Sequence, residues 1–89
     1  MLSAYVLINC ELGYEDQTVD ELNKLSGVDD ATRLDGAYDI IAKVNAESKD
    51  KLEEIIRLHI TKVDRIQSTL TLFVNEEEGQ SKEEQQTSK

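Results

Sequence analysis

Arg33-Leu34-Asp35-Gly36-Ala37-Tyr38-Asp39-Ile40-Ile41-Ala42-Lys43-Val44 is the stretch on which the reading of this 89-residue chain turns. Asp35-Gly36 is a turn signal, because glycine takes the positive φ that a tight hairpin requires. The residues that follow alternate strictly, with Tyr38, Ile40, Ala42 and Val44 on one face and Asp39, Ile41 and Lys43 on the other. That period is the mark of a half-buried strand. The stretch therefore predicts a β-hairpin with its tip at Asp35 to Ala37. Val28 to Leu34 forms the outer strand, and Asp29 and Asp30 guard it as an edge.

The flanks repeat one unit on either side of the hairpin. Ala4 to Leu12 alternates as a strand and ends at Gly13. A helix is predicted from Glu15 to Ser26, with acidic residues in its first turn, Val19, Leu22 and Leu25 as its apolar stripe, and Gly27 as its stop. Beyond the hairpin, Ser48 is a good N-cap for a second helix over Lys49 to Thr61, in which Leu52, Ile55, Ile56, His59 and Ile60 share one stripe that Val63 extends. Ile66 to Val74 is the last strand. From Asn75 onward apolar residues vanish, so residues 1–75 are expected to form the domain and 76–89 a disordered acidic tail.

The order β-α-β-β-α-β predicts an α+β, ferredoxin-like fold: a four-stranded antiparallel sheet with both helices on one face. Val6, Ile8, Ile40, Ala42, Leu70 and Leu72 are assigned to the helices. Tyr5, Leu7, Ile41 and Phe73 then share the open face with Asn9, Lys43, Thr69 and Thr71. Burying one such apolar side chain is worth roughly 1.5–3 kcal/mol, a large fraction of a small domain's net stability. A dimer packed sheet against sheet through Tyr5, Leu7, Ile41 and Phe73 is the expected outcome, against the plainer alternative of a monomer with scattered surface apolar residues.

Composition excludes several classes. The formal net charge is −9, and five Glu and two Lys fall after Val74, so the rest of the chain is acidic as well. Phosphate backbones are bound through clustered Lys and Arg, so direct nucleic-acid binding is not expected. The apolar run Ala4 to Ile8 is far short of the about 20 residues that span a bilayer, so no membrane partner is expected. A lone cysteine, Cys10, on an apolar strand and no leader pattern fit a reducing cytoplasm. Cys10 itself is a small apolar filler.

No catalytic constellation is visible, and neither a metal nor another cofactor is expected. One His and one Cys on different elements make no metal spacing, and no glycine-rich loop opens a helix. His59 sits on the packed stripe of the second helix. Asp39, just past the hairpin tip, is different, because a carboxylate on a half-buried strand needs a partner. An ion pair or turn hydrogen bond is the plainer account; recognition of a ligand's ammonium group is the sharper one. Thr69 and Thr71 point one way from the last strand and could complete a small polar pocket for a zwitterion, although β-propensity alone accounts for threonines there.

Gly36-Ala37-Tyr38-Asp39 running into Ile40-Ile41-Ala42-Lys43-Val44, the closing Ile66-Gln67-Ser68-Thr69-Leu70-Thr71-Leu72-Phe73-Val74, and the order of elements resemble the effector-binding domain of Lrp/AsnC transcription regulators, also called the RAM domain. The similarity covers about residues 2–75. The resemblance implies a homodimer joined through its sheets, assembly into rings of dimers, and an amino acid held where dimers meet. Backbone groups around Gly36 and Ala37 would hold the ligand carboxylate, with Tyr38 and Asp39 close by and Thr69 and Thr71 contributing from the last strand. The chain resembles the stand-alone form of the domain, without a helix-turn-helix DNA reader. Where the family often places Gly before the last strand, Arg65 stands here. Two other readings remain open: an assembly partner that joins full-length Lrp/AsnC regulators, and a small dimeric α+β-barrel enzyme, for which only His59, Tyr5 and Asp39 are at hand.

Overall fold

Strand β1 (Leu2–Cys10) is the hub of the sheet. It pairs antiparallel with β3 (Ile40–Ala46) on one side and with β4 (Ile66–Val74) on the other, while β2 (Val28–Arg33) adds to the outer edge of β3. The strand order is β2-β3-β1-β4. The computed structural model describes residues 2–74, so the expected acidic tail over 76–89 lies outside the described residues. Helices α1 (Glu15–Asn23) and α2 (Lys49–Ile55) complete the expected ferredoxin-like α+β arrangement.

The core lies between one sheet face and the helices. Ala4, Val6, Ile8 and Cys10 from β1 and Ile40, Ala42 and Val44 from β3 are buried there with Leu22, Leu52, Ile56 and Ile60. These are alternate positions on the strands and spaced positions on the helices, as the two periodicities require. Ser48 caps α2 as expected, its hydroxyl accepting the Lys51 N–H at 3.2 Å.

Four expectations are corrected. Helix α1 stops at Asn23 rather than Ser26, because the Asn23 side chain turns to β2, where its Oδ1 accepts the Ala31 N–H at 2.9 Å and its Nδ2 donates to the Ala31 carbonyl at 3.2 Å. The hairpin connection is wider, from Leu34 to Asp39: the Leu34 N–H donates to the Asp39 carbonyl at 2.8 Å, so Tyr38 and Asp39 close the loop instead of opening the strand. The second helix passes at Ile56 into a π-helical segment, Ile56–Ile60, in which Thr61 N–H donates to the Ile56 carbonyl at 3.0 Å. Ile56 and Ile60 stay on the sheet and His59 faces solvent, off the packed stripe.

The fourth correction bears on the site. Cys10 is paired with Ile66 and Asn9 with Ser68, so Gln67 is an extra residue, a bulge, and the side-chain alternation inverts beyond it. Thr69, Thr71 and Phe73 therefore stand opposite Ile8, Val6 and Ala4 on the helix side. Leu70 and Leu72 stand opposite Leu7 and Tyr5 on the open face. The assignment of Phe73, Thr69 and Thr71 to the open face, and of Leu70 and Leu72 to the helices, is reversed.

Gly27 shows how tightly the turn after α1 is packed. Its φ is +93°, and a Cβ there would lie 2.7 Å from Ile55 Cδ1. Gly27→Ala is expected to lower stability by about 1–2 kcal/mol through the left-handed backbone alone, measured by urea denaturation. An unchanged midpoint would show that the turn relaxes to another conformation at no cost.

Candidate functional site

The loop Leu34–Asp39 is held against the C-terminal end of β1 by its last residue. Asp39 N–H donates to the Ile8 carbonyl at 2.9 Å, and Asp39 Oδ2 accepts the Cys10 N–H at 2.9 Å. Asp39 thus extends the β1–β3 ladder by a side-chain contact, which is the plainer of the two accounts of this residue. Cys10 is buried beneath it. Burial pushes the Cys10 thiol above its ordinary value, against a hydrogen bond with Thr18, and the Asp39 charge adds to the rise. A thiol so protonated is a packing group rather than a nucleophile.

From this anchor the loop runs out into solvent, and Asp35, Gly36 and Ala37 are exposed. Among the described residues no main-chain or side-chain acceptor takes the N–H groups of Gly36, Ala37 or Tyr38. Those N–H groups are therefore left to solvent or to an acceptor from outside the chain.

Beside the loop anchor, Arg65 leads into β4, and its φ of 78° is a left-handed conformation that favours glycine. The structure accounts for an arginine there. Its carbonyl accepts the Glu11 N–H at 2.8 Å, its guanidinium lies 4.2 Å from the Tyr14 ring centroid, and Nη1 is 3.5 Å from Glu11 Oε1. A partly exposed cation–π contact is worth about 0.5–1 kcal/mol, comparable with the backbone cost.

Thr69 and Thr71 are not part of the same surface. Thr69 is separated from Ile40, the first strand residue after the loop, by the whole of β1, or about 10 Å at ordinary strand spacing. Thr71 lines a different feature, a groove of ≈ 380 Å³ with Glu53, Ile56, Arg57, Thr61 and Phe73. Phe73 also carries the Lys49 ammonium 5.0 Å from its ring centroid. Within one chain the loop residues Gly36, Ala37, Tyr38 and Asp39 come together, and the two threonines do not join them. The groove was missed in the sequence because its floor depends on the bulge at Gln67, and Glu53 and Arg57 read as solvated helix residues.

Tyr5, Leu7 and Ile41 are half-buried on the open sheet face, which Leu70 and Leu72 extend and Phe73 does not share. The residues of the enzyme reading are dispersed: His59 is on the outer side of the helix layer, Tyr5 on the opposite sheet face, and the Asp39 carboxylate is bonded to Cys10. Among the described residues no cluster of His, Cys, Asp and Glu could hold a metal ion, and no helix is long and apolar enough to cross a membrane.

The four-stranded antiparallel sheet with two helices is a ferredoxin-like α+β domain, and comparison with known proteins gives its family. The family model of the Lrp/AsnC ligand binding domain matches residues 3–83, and the chain belongs to that family. An uncharacterised HTH-type transcriptional regulator of Pyrococcus abyssi is 37% identical over 68 residues, 76% of this chain and 43% of that protein. The chain therefore spans less than half the length of that curated relative. A hypothetical protein of Pyrococcus horikoshii superposes with a TM-score of 0.80 at 29% identity, over 88% of this chain and 94% of that one. Escherichia coli AsnC superposes with a TM-score of 0.77 at 26% identity, over 97% of this chain and 56% of that one.

The strained residue offers a direct check. Arg65→Ala removes the ring contact and keeps the unfavourable φ, whereas Arg65→Gly removes both. Arg65→Gly is expected to be the more stable variant by about 1 kcal/mol in chemical denaturation. Equal stabilities would show that the backbone at residue 65 carries no strain.

Proposed function

We propose that this chain is an amino-acid-sensing regulatory module of the Lrp/AsnC type, cytoplasmic and without catalysis. The observation that carries the reading is the run of free N–H groups at Gly36, Ala37 and Tyr38, set beside a carboxylate at Asp39. A zwitterion needs both: N–H donors for its carboxylate and an acceptor for its ammonium group. Asp39 Oδ2 is engaged by Cys10 N–H, so Oδ1 is the oxygen that faces the ammonium. The loop is exposed within one chain, and a second chain supplies the other wall in this reading. Thr69 and Thr71, too far from the loop in their own chain, contribute from a neighbour in this reading.

The working unit is a dimer that buries the open sheet face, with Tyr5, Leu7, Ile41, Leu70 and Leu72 as its apolar contacts, and dimers associate further where the loops meet. A ligand bound between dimers shifts that association by its differential affinity for the assembled and free states. A second reading follows from the match to AsnC over 56% of that protein's length: the same sheet face would let this chain join full-length regulators and alter their DNA binding.

A thermal-shift screen of the twenty amino acids, with light scattering to follow mass, tests the proposal. A ligand at 100 times its dissociation constant stabilises the folded state by roughly 2.7 kcal/mol. One amino acid that raises Tm and changes mass is the expected result. No response at millimolar concentration, together with mixed oligomers in a pull-down of a full-length regulator, would select the partner reading. Asp39→Asn keeps an oxygen for Cys10 N–H and removes the charge, so it is expected to abolish the ligand response and leave the dimer intact. Unchanged affinity in that variant would remove Asp39 from the site.

A further inference from the structure

Asp35-Gly36 is the one step in the sequence where an aspartate or asparagine precedes glycine. The γ-carbon of an aspartate and the main-chain nitrogen of the next residue can close a five-membered ring, since both belong to one short stretch of chain. Three features of a folded protein ordinarily prevent that closure: a side chain on the next residue, an acceptor that holds its N–H, and a regular element that fixes the dihedral angles. All three are missing here. Gly36 has no Cβ, and where one would stand nothing beyond its chain neighbours lies within 4 Å. Its N–H has no acceptor among the described residues, and the Asp35 carboxylate has neither a hydrogen bond nor an ion pair with them. Both residues are exposed, on a connection outside every helix and strand.

Other aspartate and asparagine steps show the protection that this one lacks. The N–H after Asp30 is that of Ala31 and donates to Asn23 Oδ1 at 2.9 Å, and the N–H after Asn9 is that of Cys10 and donates to Asp39 Oδ2 at 2.9 Å. Asp16, Asp20 and Asp50 lie inside helices. Asp39 precedes the buried, β-branched Ile40, while Asp29 and Asp64 precede the full side chains of Asp30 and Arg65. The loop around Asp35 is pinned at its ends, where Leu34 N–H donates to the Asp39 carbonyl at 2.8 Å and Asp39 N–H to the Ile8 carbonyl at 2.9 Å. Its middle can rearrange without opening the sheet.

We propose that Asp35 is a site of uncatalysed covalent modification, at which the folded chain converts aspartate to isoaspartate through a cyclic imide with Gly36. The Gly36 nitrogen attacks Cγ of the Asp35 carboxyl group: an N–C bond forms, the C–OH bond breaks, and the hydroxyl leaves as water with the amide proton. Water then adds to one of the two imide carbonyls. Addition at Cγ restores aspartate. Addition at the main-chain carbonyl breaks the original peptide bond, so the chain now runs through Cγ and the α-carboxylate is free. One water leaves and one returns, and nothing is oxidised or reduced. The product carries one extra methylene in the backbone and keeps its negative charge on a shorter arm, which displaces the Gly36 N–H. With Leu34 and Asp39 fixing both ends, the change stays inside the loop and the core is untouched. This chemistry does not rest on the proposed function, although under that reading it alters one of the groups that receive the ligand.

Long incubation of the whole chain under native conditions in heavy-oxygen water tests it, read by peptide mapping with electron-based fragmentation, which separates β-linked from α-linked aspartate. Isoaspartate carrying heavy oxygen is expected to accumulate at residue 35, ahead of every other described aspartate, at a rate within a few-fold of that in a free peptide of residues 33–40. The Tm of the converted chain is expected to be unchanged. Two variants move the rate in opposite directions. Asp35→Asn reaches the same imide by losing ammonia, and its neutral amide is attacked more readily than a carboxylate, so conversion is expected to be severalfold faster. Asp35→Glu requires a six-membered ring and is expected to show no conversion. A residue that merely shapes the loop would not give that reversal. A folded chain that stays unconverted while the peptide converts, isoaspartate spread evenly over the other aspartates, or an Asp35→Asn chain no faster than the unmodified one would overturn the proposal.

Discussion

The structure depends on β1 being satisfied on three sides at once. Its even-numbered side chains from Ala4 to Cys10 are sealed under the helices, and its main chain is paired with β3 on one side and β4 on the other. A slip by one residue would turn Val6 and Ile8 out of the core and lose both ladders together. Because that register is so costly to change, irregularities in the chain are displaced to the neighbours: one bulge at the start of β4, another at Asp29 in β2, and a loop at Leu34–Asp39. The candidate loop is one of those displacements, and the bulge in β4 sets which of its side chains face the helices.

This explains which parts of the fold the sequence discloses. The alternation in β1 and β3, the turn glycines and the Ser48 cap are local signals, and each agrees with the final fold. The bulge at Gln67 is not local. Ile66, Leu70, Leu72 and Val74 present a clean period-2 apolar set, and nothing in those letters reveals that one extra residue inverts the faces after Ile66. The inversion follows from matching β4 to β1, with Glu11 N–H tied to Arg65 and Cys10 opposite Ile66. The π-helical segment is similar: an evenly spaced stripe that includes His59 reads as α-helix, and the widened turn is set by packing of Ile56 and Ile60 against the sheet.

At the candidate site the legible part is the loop itself. Asp35-Gly36 marks the turn, and Asp39 stands out as a carboxylate in a strand-like context, but its bond to Cys10 N–H joins residues 29 apart in sequence. Its dual position matters physically. A carboxylate fixed by one oxygen to the most constrained strand presents its other oxygen at a defined place, so little ordering entropy remains to be lost when a cation is bound. Arg65 gives the same lesson in reverse. An arginine where the resemblance leads one to expect glycine raises doubt about the backbone, yet the chain keeps the left-handed conformation and holds it by stacking on Tyr14.

The two surfaces that remain open, the sheet face and the β4 edge, use different groups of the same strand. Leu70 and Leu72 offer side chains to one and direct their main chain inward to β1, while Thr69, Thr71 and Phe73 offer main chain to the other. Because alternate residues point alternate ways, the side chains on the open face and the outward main chain share no atom. The loop that offers free N–H groups lies across β1 from β4, bonded to β1 through Asp39. A ligand that orders this loop acts on a strand that also carries β4. In the proposed reading, coupling between loop and assembly needs no moving domain, only a difference in how well the ligand is held when a second chain completes its pocket.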